Sequence, residues 1–169
     1  MERLRNKPGI FGDTSPTQFA SSISRTALRY ARNALQDGPL YDVNLSVELA
    51  LTLRAGAAVG VAVSRQEAVD PSFASWAGGP FVYGWHDLGR TTLFGSMNVR
   101  RPVSDERNFL FPDKRREWFL AGRFGMVVRA VTVGGFSPTA RVGIERNISS
   151  VKIYDYRRVY GELGITRTF

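Results

Sequence analysis

Residues 41–54 read YDVNLSVELALTLR, and this stretch decides the fold class. Tyr41, Val43, Leu45, Val47, Leu49, Leu51 and Leu53 fall at every second position. Asp42, Asn44, Ser46, Glu48, Ala50, Thr52 and Arg54 fill the places between them. Successive side chains of a strand point to opposite faces, so the run gives one oily face and one polar face. A helix would wrap the same apolar residues around its whole circumference.

The period of two continues on both sides of this stretch. Downstream, Val59, Val61 and Val63 alternate with Gly60, Ala62 and Ser64, and Phe81, Tyr83 and Trp85 with Val82, Gly84 and His86. Leu93, Gly95, Met97 and Val99 oppose Phe94, Ser96, Asn98 and Arg100. Trp118, Leu120, Gly122, Phe124 and Met126 make one face of the next strand. Pro138, Ala140, Val142 and Ile144 follow, and then Val159, Leu163, Ile165 and Phe169. Upstream, residues 17–34 fit a weak strand through Phe19, Ser21, Ile23, Arg25 and Ala27, although Ala27, Leu28, Arg29 and Ala31 also suit a helix. Residues 1–16, with Pro8-Gly9, Gly12-Asp13 and Ser15-Pro16, read as a flexible leader.

The expected fold is all-β: an antiparallel meander of about eight strands over residues 17–169. Short connections at 54–57, 88–91 and 130–137 alternate with longer ones at 67–80, 101–114 and 147–153. All short turns then lie at one end of the sheet, as in outer-membrane β-barrels. Several strands are long enough to cross a bilayer when tilted. Tyr41, Trp85, Trp118, Tyr154, Tyr156 and Phe169 sit where interface girdles occur. The pattern therefore points to a transmembrane β-barrel or the C-terminal portion of a larger one. A soluble β-barrel gives the same alternation with its oily face inward. No export signal and no apolar helical span is legible, so a membrane barrel here would be a downstream piece of a larger product.

Composition excludes some chemistry. The chain of 169 residues has no cysteine, which removes disulfides and thiolate sites. The net charge of +8 is carried almost wholly by arginines, spread singly or in pairs along the chain rather than gathered into a nucleic-acid patch. His86 is the single histidine, so no multi-histidine metal site exists. Ser24, His86 and Asp87 lack any nucleophile elbow, and Asp105, Glu106 and Asp113 read as a solvated loop. Gly9, Gly12, Gly78 and Gly79 make no phosphate-binding fingerprint. The reading is of a protein that is not an enzyme and needs no cofactor or metal. On the polar face, Glu48, Glu117, Glu145 and Glu162 meet Arg54, Arg100, Arg123 and Arg141. Paired across a narrow bore, these charges would plug it.

The last third carries a resemblance. Asp113-Lys114-Arg115-Arg116-Glu117, Pro138, Glu145-Arg146-Asn147, Ser149-Ser150, Tyr154-Asp155-Tyr156-Arg157-Arg158 and Leu163-Gly164-Ile165-Thr166-Arg167-Thr168-Phe169 together resemble the C-terminal barrel of the surface lipoprotein assembly modifier family. The likeness covers residues 113–169, is loose over 40–112 and absent before. It implies an outer-membrane protein that assists translocation or surface display of lipoproteins. It also implies as partners outer-membrane lipid, the barrel-assembly machinery, a lipoprotein cargo, and a separately encoded periplasmic helical-repeat domain or missing N-terminal barrel strands. Asn147, Ser149, Tyr154 and Tyr156 carry the motif. Phe169, with Ile165 and Leu163, would be the assembly signal. Asp155, Arg157, Glu145, Arg141, Glu117 and Arg123 would form the ion pairs that fix strand register or line the lumen. The alternatives are a structural or adhesion-like outer-membrane barrel that binds ligands through loops 67–80 and 101–114, or a soluble β-barrel binding protein.

Overall fold

The computed structural model describes residues 17–31 and 33–167. The leader 1–16 and the terminal Phe169 of the expected assembly signal lie outside them. Eight long strands run as a meander: β1 (Thr17–Leu28), β2 (Gly38–Thr52), β3 (Ala55–Gln66), β4 (Ser75–Asp87), β5 (Thr91–Arg100), β7 (Glu117–Val128), β8 (Phe136–Ser149) and β9 (Tyr156–Arg167). A two-residue β6 (Val103–Ser104) caps the long-loop end of β4, where Ser75 faces Ser104. Every neighbouring pair is antiparallel, in the order β1-β2-β3-β4-β5-β7-β8-β9.

The turns explain the register. Leu53-Arg54 joins β2 to β3, and one shift between Ala50 and Thr52 absorbs the tight return. Leu88-Gly89-Arg90 joins β4 to β5, with Gly89 at φ 84, a backbone that a Cβ would strain. The longer connections gather at the opposite end. The loop expected over 67–80 stops at residue 74, because Gly78-Gly79-Pro80 lies inside β4. Gly79 is needed there because the Val99 carbonyl occupies the space of a Cβ. Pro80 donates no N–H, and the ladder to β5 begins just past it, at Phe81 opposite Asn98.

The expected barrel is not what forms. Among the described residues the sheet begins at β1, ends at β9, and these two edges do not pair. An antiparallel meander of the expected kind is present, but it is open. Alternation reports which face is oily at each residue. It carries no information about whether the first and last strands meet. No helix among the described residues is long and apolar enough to cross a membrane, and the open sheet lacks the closure on which the outer-membrane placement rested. The open sheet overturns that placement and encloses no bore for the charges to plug.

Among the described residues there is no oily core in the usual sense. The buried hydrophobic residues are Ala62, Ala74, Ala121 and Val151, while Glu117, Glu145, Asn147, Ser137 and Thr139 are also buried. Register places Glu145, Asn147, Thr139, Ala62 and Ala121 on the same face as Asp42, Asn44 and Glu48. Among the described residues no second layer covers that face, so its shelter comes from the side chains it carries itself. The opposite face carries Leu45, Val61, Met97, Phe124 and Val142, all exposed.

Aromatic rings shelter the polar face from within. Phe81 Cζ lies 2.6 Å from where a Cβ on Gly60 would stand, and Trp85 Nε1 2.8 Å from that of Gly56. Phe94 covers Gly125 and Tyr160 covers Gly143 in the same way. Rings from one strand thus lie flat over glycines of the next, which protects their ladders and fixes register. Trp85 therefore stands on the polar face, away from the oily side to which an interface girdle would assign it.

Candidate assembly surface

The charged residues of the polar face form one ladder across β7, β8 and β9. Register brings Glu145 opposite Arg158 and Arg141 opposite Glu162. It also sets Arg123 opposite Gly143, whose missing side chain leaves room for Tyr160. The result is a hub: Glu145, 4% exposed, accepts from Arg158 at 2.6 Å and from the Tyr160 hydroxyl at 3.2 Å. Arg123 donates to the Tyr160 oxygen at 2.8 Å and stands 3.8 Å from Glu145. The Arg158 guanidinium is pushed above its ordinary value, chiefly by that hydrogen bond to Glu145. Arg141 pairs with Glu162 at 3.4 Å. These groups satisfy one another, so the Glu145 and Glu162 carboxylates are engaged in holding β8 to its neighbours.

A second cluster holds the long-loop end. Asn147, buried at the end of β8, donates to Glu117 at 3.1 Å and to the Tyr154 carbonyl at 2.6 Å. Glu117 lies 4.0 Å from Arg115. Ser149 Oγ accepts from the Val151 amide at 3.2 Å, and Asp155 pairs with Arg146 rather than with Arg157. Arg157 stands opposite Arg146 in the β8–β9 register, and Tyr156 opposite Asn147. The motif residues are therefore fasteners of the β8–β9 loop. Leu163 and Ile165 lie exposed on the oily face of β9.

Sequence reasoning missed two contacts. Arg65 grips Asp105 through paired bonds of 2.7 and 2.6 Å, which pins the 105–116 loop to β3. Asp87 of β4 takes Arg129 at 3.5 Å across the short-turn end. Both join residues about forty positions apart, and no local pattern announces such pairs. A third feature was half legible. At the long-loop end of the oily face, Arg25 lies over Tyr41, Arg65 over Trp76 and Arg101 over Trp118, at 5.7, 5.3 and 4.7 Å. Tyr41 and Trp118 belong to the expected girdle, whereas Trp76 and the covering arginines have no place in it.

Open hollows of about 640 Å³ at the short-turn end, lined by Thr52, Leu53, Arg54, His86, Asp87 and Leu88, and of about 330 Å³, lined by Met97, Phe124, Val142 and Val159 among others, are shallow. A pocket of about 260 Å³ on the polar face is lined by Gln18, Glu48, Ala58, Tyr83 and Trp85 among others. It falls below the usual size of small-molecule sites, roughly 300 Å³ and more. Among the described residues no three histidine, aspartate or glutamate side chains gather as a metal site. His86 stands opposite Ala55 and Leu93, at the short-turn end of the sheet.

β1 and β9 each run 12 residues, and neither holds a proline or a lysine. Neither pairing to its inner neighbour contains a bulge. A bare strand edge presents a row of unpaired N–H and C=O groups, and natural edges are usually blunted by such devices. The oily face runs out to both of them: Phe19 is 80% and Leu163 91% exposed.

No family model, no curated protein and no solved structure matches the chain. The resemblance to surface lipoprotein assembly modifiers therefore does not stand, since short motifs of charged and aromatic residues recur in strand-rich chains by composition alone. With it fall the translocation role and the partners it implied: lipoprotein cargo, barrel-assembly machinery, outer-membrane lipid and a helical-repeat domain or further barrel strands.

Proposed function

We propose that this chain is a non-catalytic β-sheet scaffold that works by adding strands of other polypeptide at its edges. The observation that carries this reading is the pair of open edges, β1 and β9, at the two ends of the sheet, which hold no proline, lysine or bulge. Two further features support it. An uncovered oily face of this breadth is a feature of surfaces that associate. The clustered charges of the polar face are spent on one another at Glu145 and Glu162. Strand addition gains affinity from main-chain hydrogen bonds and specificity from alternate side chains, both of which the edges offer.

The test is sedimentation velocity of the full chain over a concentration series, with hydrogen exchange read on β1 and β9. The expected result is a concentration-dependent assembly in which amides of both edge strands gain protection. A chain that stays monomeric at about 100 μM, far above the micromolar range of specific complexes, with edge amides exchanging freely, overturns the proposal.

A further inference from the structure

We infer that the polypeptide added at the β9 edge is β1 of a second copy of this chain. The inference rests on the strand-addition reading and names its partner. Four observations on the two edges agree. First, their lengths match at 12 residues each. Second, their directions match. Eight long strands alternate in direction, so β1 and β9 run opposite ways. A second copy placed beside the first in the same orientation therefore presents β1 antiparallel to β9, which continues the meander.

Third, the faces match in the full-length register. Setting Thr17 opposite Arg167 and Leu28 opposite Tyr156 pairs odd positions with odd throughout. The odd positions of β1 share the oily face of Val43, Leu45 and Val47. The odd positions of β9 share the oily face of Val142 and Ile144. A slip by one residue would turn every oily side chain of β1 to the polar face, so the register is strongly chosen.

Fourth, the side chains suit one another. Phe19 comes opposite Ile165, and Ile23 falls beside Gly161 between Val159 and Leu163. On the polar face Ser22 comes opposite Glu162 and Ser24 opposite Tyr160, which gives hydroxyl donors to a carboxylate and a phenol. Arg25 meets Val159 and Thr26 meets Arg158, so no like charges stand directly opposed. The residues that gain neighbours are among the most exposed apolar side chains of the molecule: Phe19, Ile23, Val159, Leu163 and Ile165. The contact is heterologous, so copies add in one direction until a ring closes or a filament extends.

The absence of native cysteine makes the register directly testable. Two full-length chains, Phe19→Cys and Ile165→Cys, are mixed under mild oxidation and read on a non-reducing gel. The expected result is a disulfide-linked mixed dimer at least tenfold more abundant than that formed by Phe19→Cys with Arg157→Cys, which lie at opposite ends of the seam. Equal yields from the two mixtures overturn the register. A chain carrying both Phe19→Cys and Ile165→Cys that cross-links only within itself overturns the second copy as partner. Sedimentation of the same samples separates the two levels. Association without the mixed cross-link removes this register and leaves strand addition standing, whereas a monomer removes both.

Discussion

Asp105 shows how much of this molecule hangs on single long-range contacts. Its carboxyl is held below the ordinary carboxylate value of 3.8, first by the hydrogen bond from Arg65 and then by that guanidinium's charge and Lys114. The sign follows from linkage: a carboxylate depressed by folding adds stability that is fully present above the unfolded value and disappears as pH falls through the folded one. Asp105→Asn should therefore cost about 1 kcal/mol at neutral pH, the upper range for an accessible pair with good two-pronged geometry. The gap between variant and parent should close below about pH 3.8. Urea melts at a series of pH values read this; a gap that persists undiminished well below that pH would dismiss the ion pair as its source. Arg65 and Asp105 could not be matched from sequence, since many arginines are equivalent candidates for one loop aspartate. Glu145 was legible as a lumen-type carboxylate, because its position on the polar face follows from alternation alone. Its partners were legible only in part. Arg123 was expected nearby, but Tyr160 reaches it only because Gly143 leaves the space.

At the scale of elements, the strands were readable because their residues obey a period of two wherever one face is polar. The failures came where two signals conflicted. Gly78-Gly79-Pro80 has the composition of a loop, yet it lies in β4, where the approach of the Val99 carbonyl demands a missing side chain. Glycines on the polar face are likewise strand residues roofed by rings, and this gives an internal comparison. At Gly143 a new Cβ would meet the Tyr160 ring, with its oxygen 2.7 Å away. At Gly122, on the oily face, the nearest atom is Ile144 Cγ2 at an ordinary 3.5 Å. Gly143→Val should displace Tyr160, break its bonds to Arg123 and Glu145, and destabilise the fold by about 1–3 kcal/mol. Gly122→Val should be neutral or mildly stabilising, because a β-branched residue suits an open strand position better than glycine. Thermal melts of the two variants compare them directly. Equal losses would show that the aromatic roof over Gly143 contributes nothing.

For the whole molecule, the hardest property to read was closure, because it is set by where the last strand goes and not by the pattern within any strand. The same alternation serves a cylinder, a sandwich layer and an open sheet, and here β1 and β9 remain separate edges. An open sheet with an oily face running out to both edges has a definite weakness, which the double variant Ile23→Lys, Leu163→Lys exploits. Both side chains are well exposed in the single chain, at 73% and 91%, so lysine there costs the isolated sheet little. In the β9–β1 seam they would lie as diagonal neighbours on one face, where two ammonium groups repel and an apolar strip is lost. Lysine is also the residue with which natural edge strands resist pairing. Association measured by sedimentation should weaken at least tenfold, while the far-ultraviolet circular dichroism of the sheet and its melting temperature at low concentration stay near those of the parent. Assembly that survives both lysines with undiminished affinity would place the contact somewhere other than the edges.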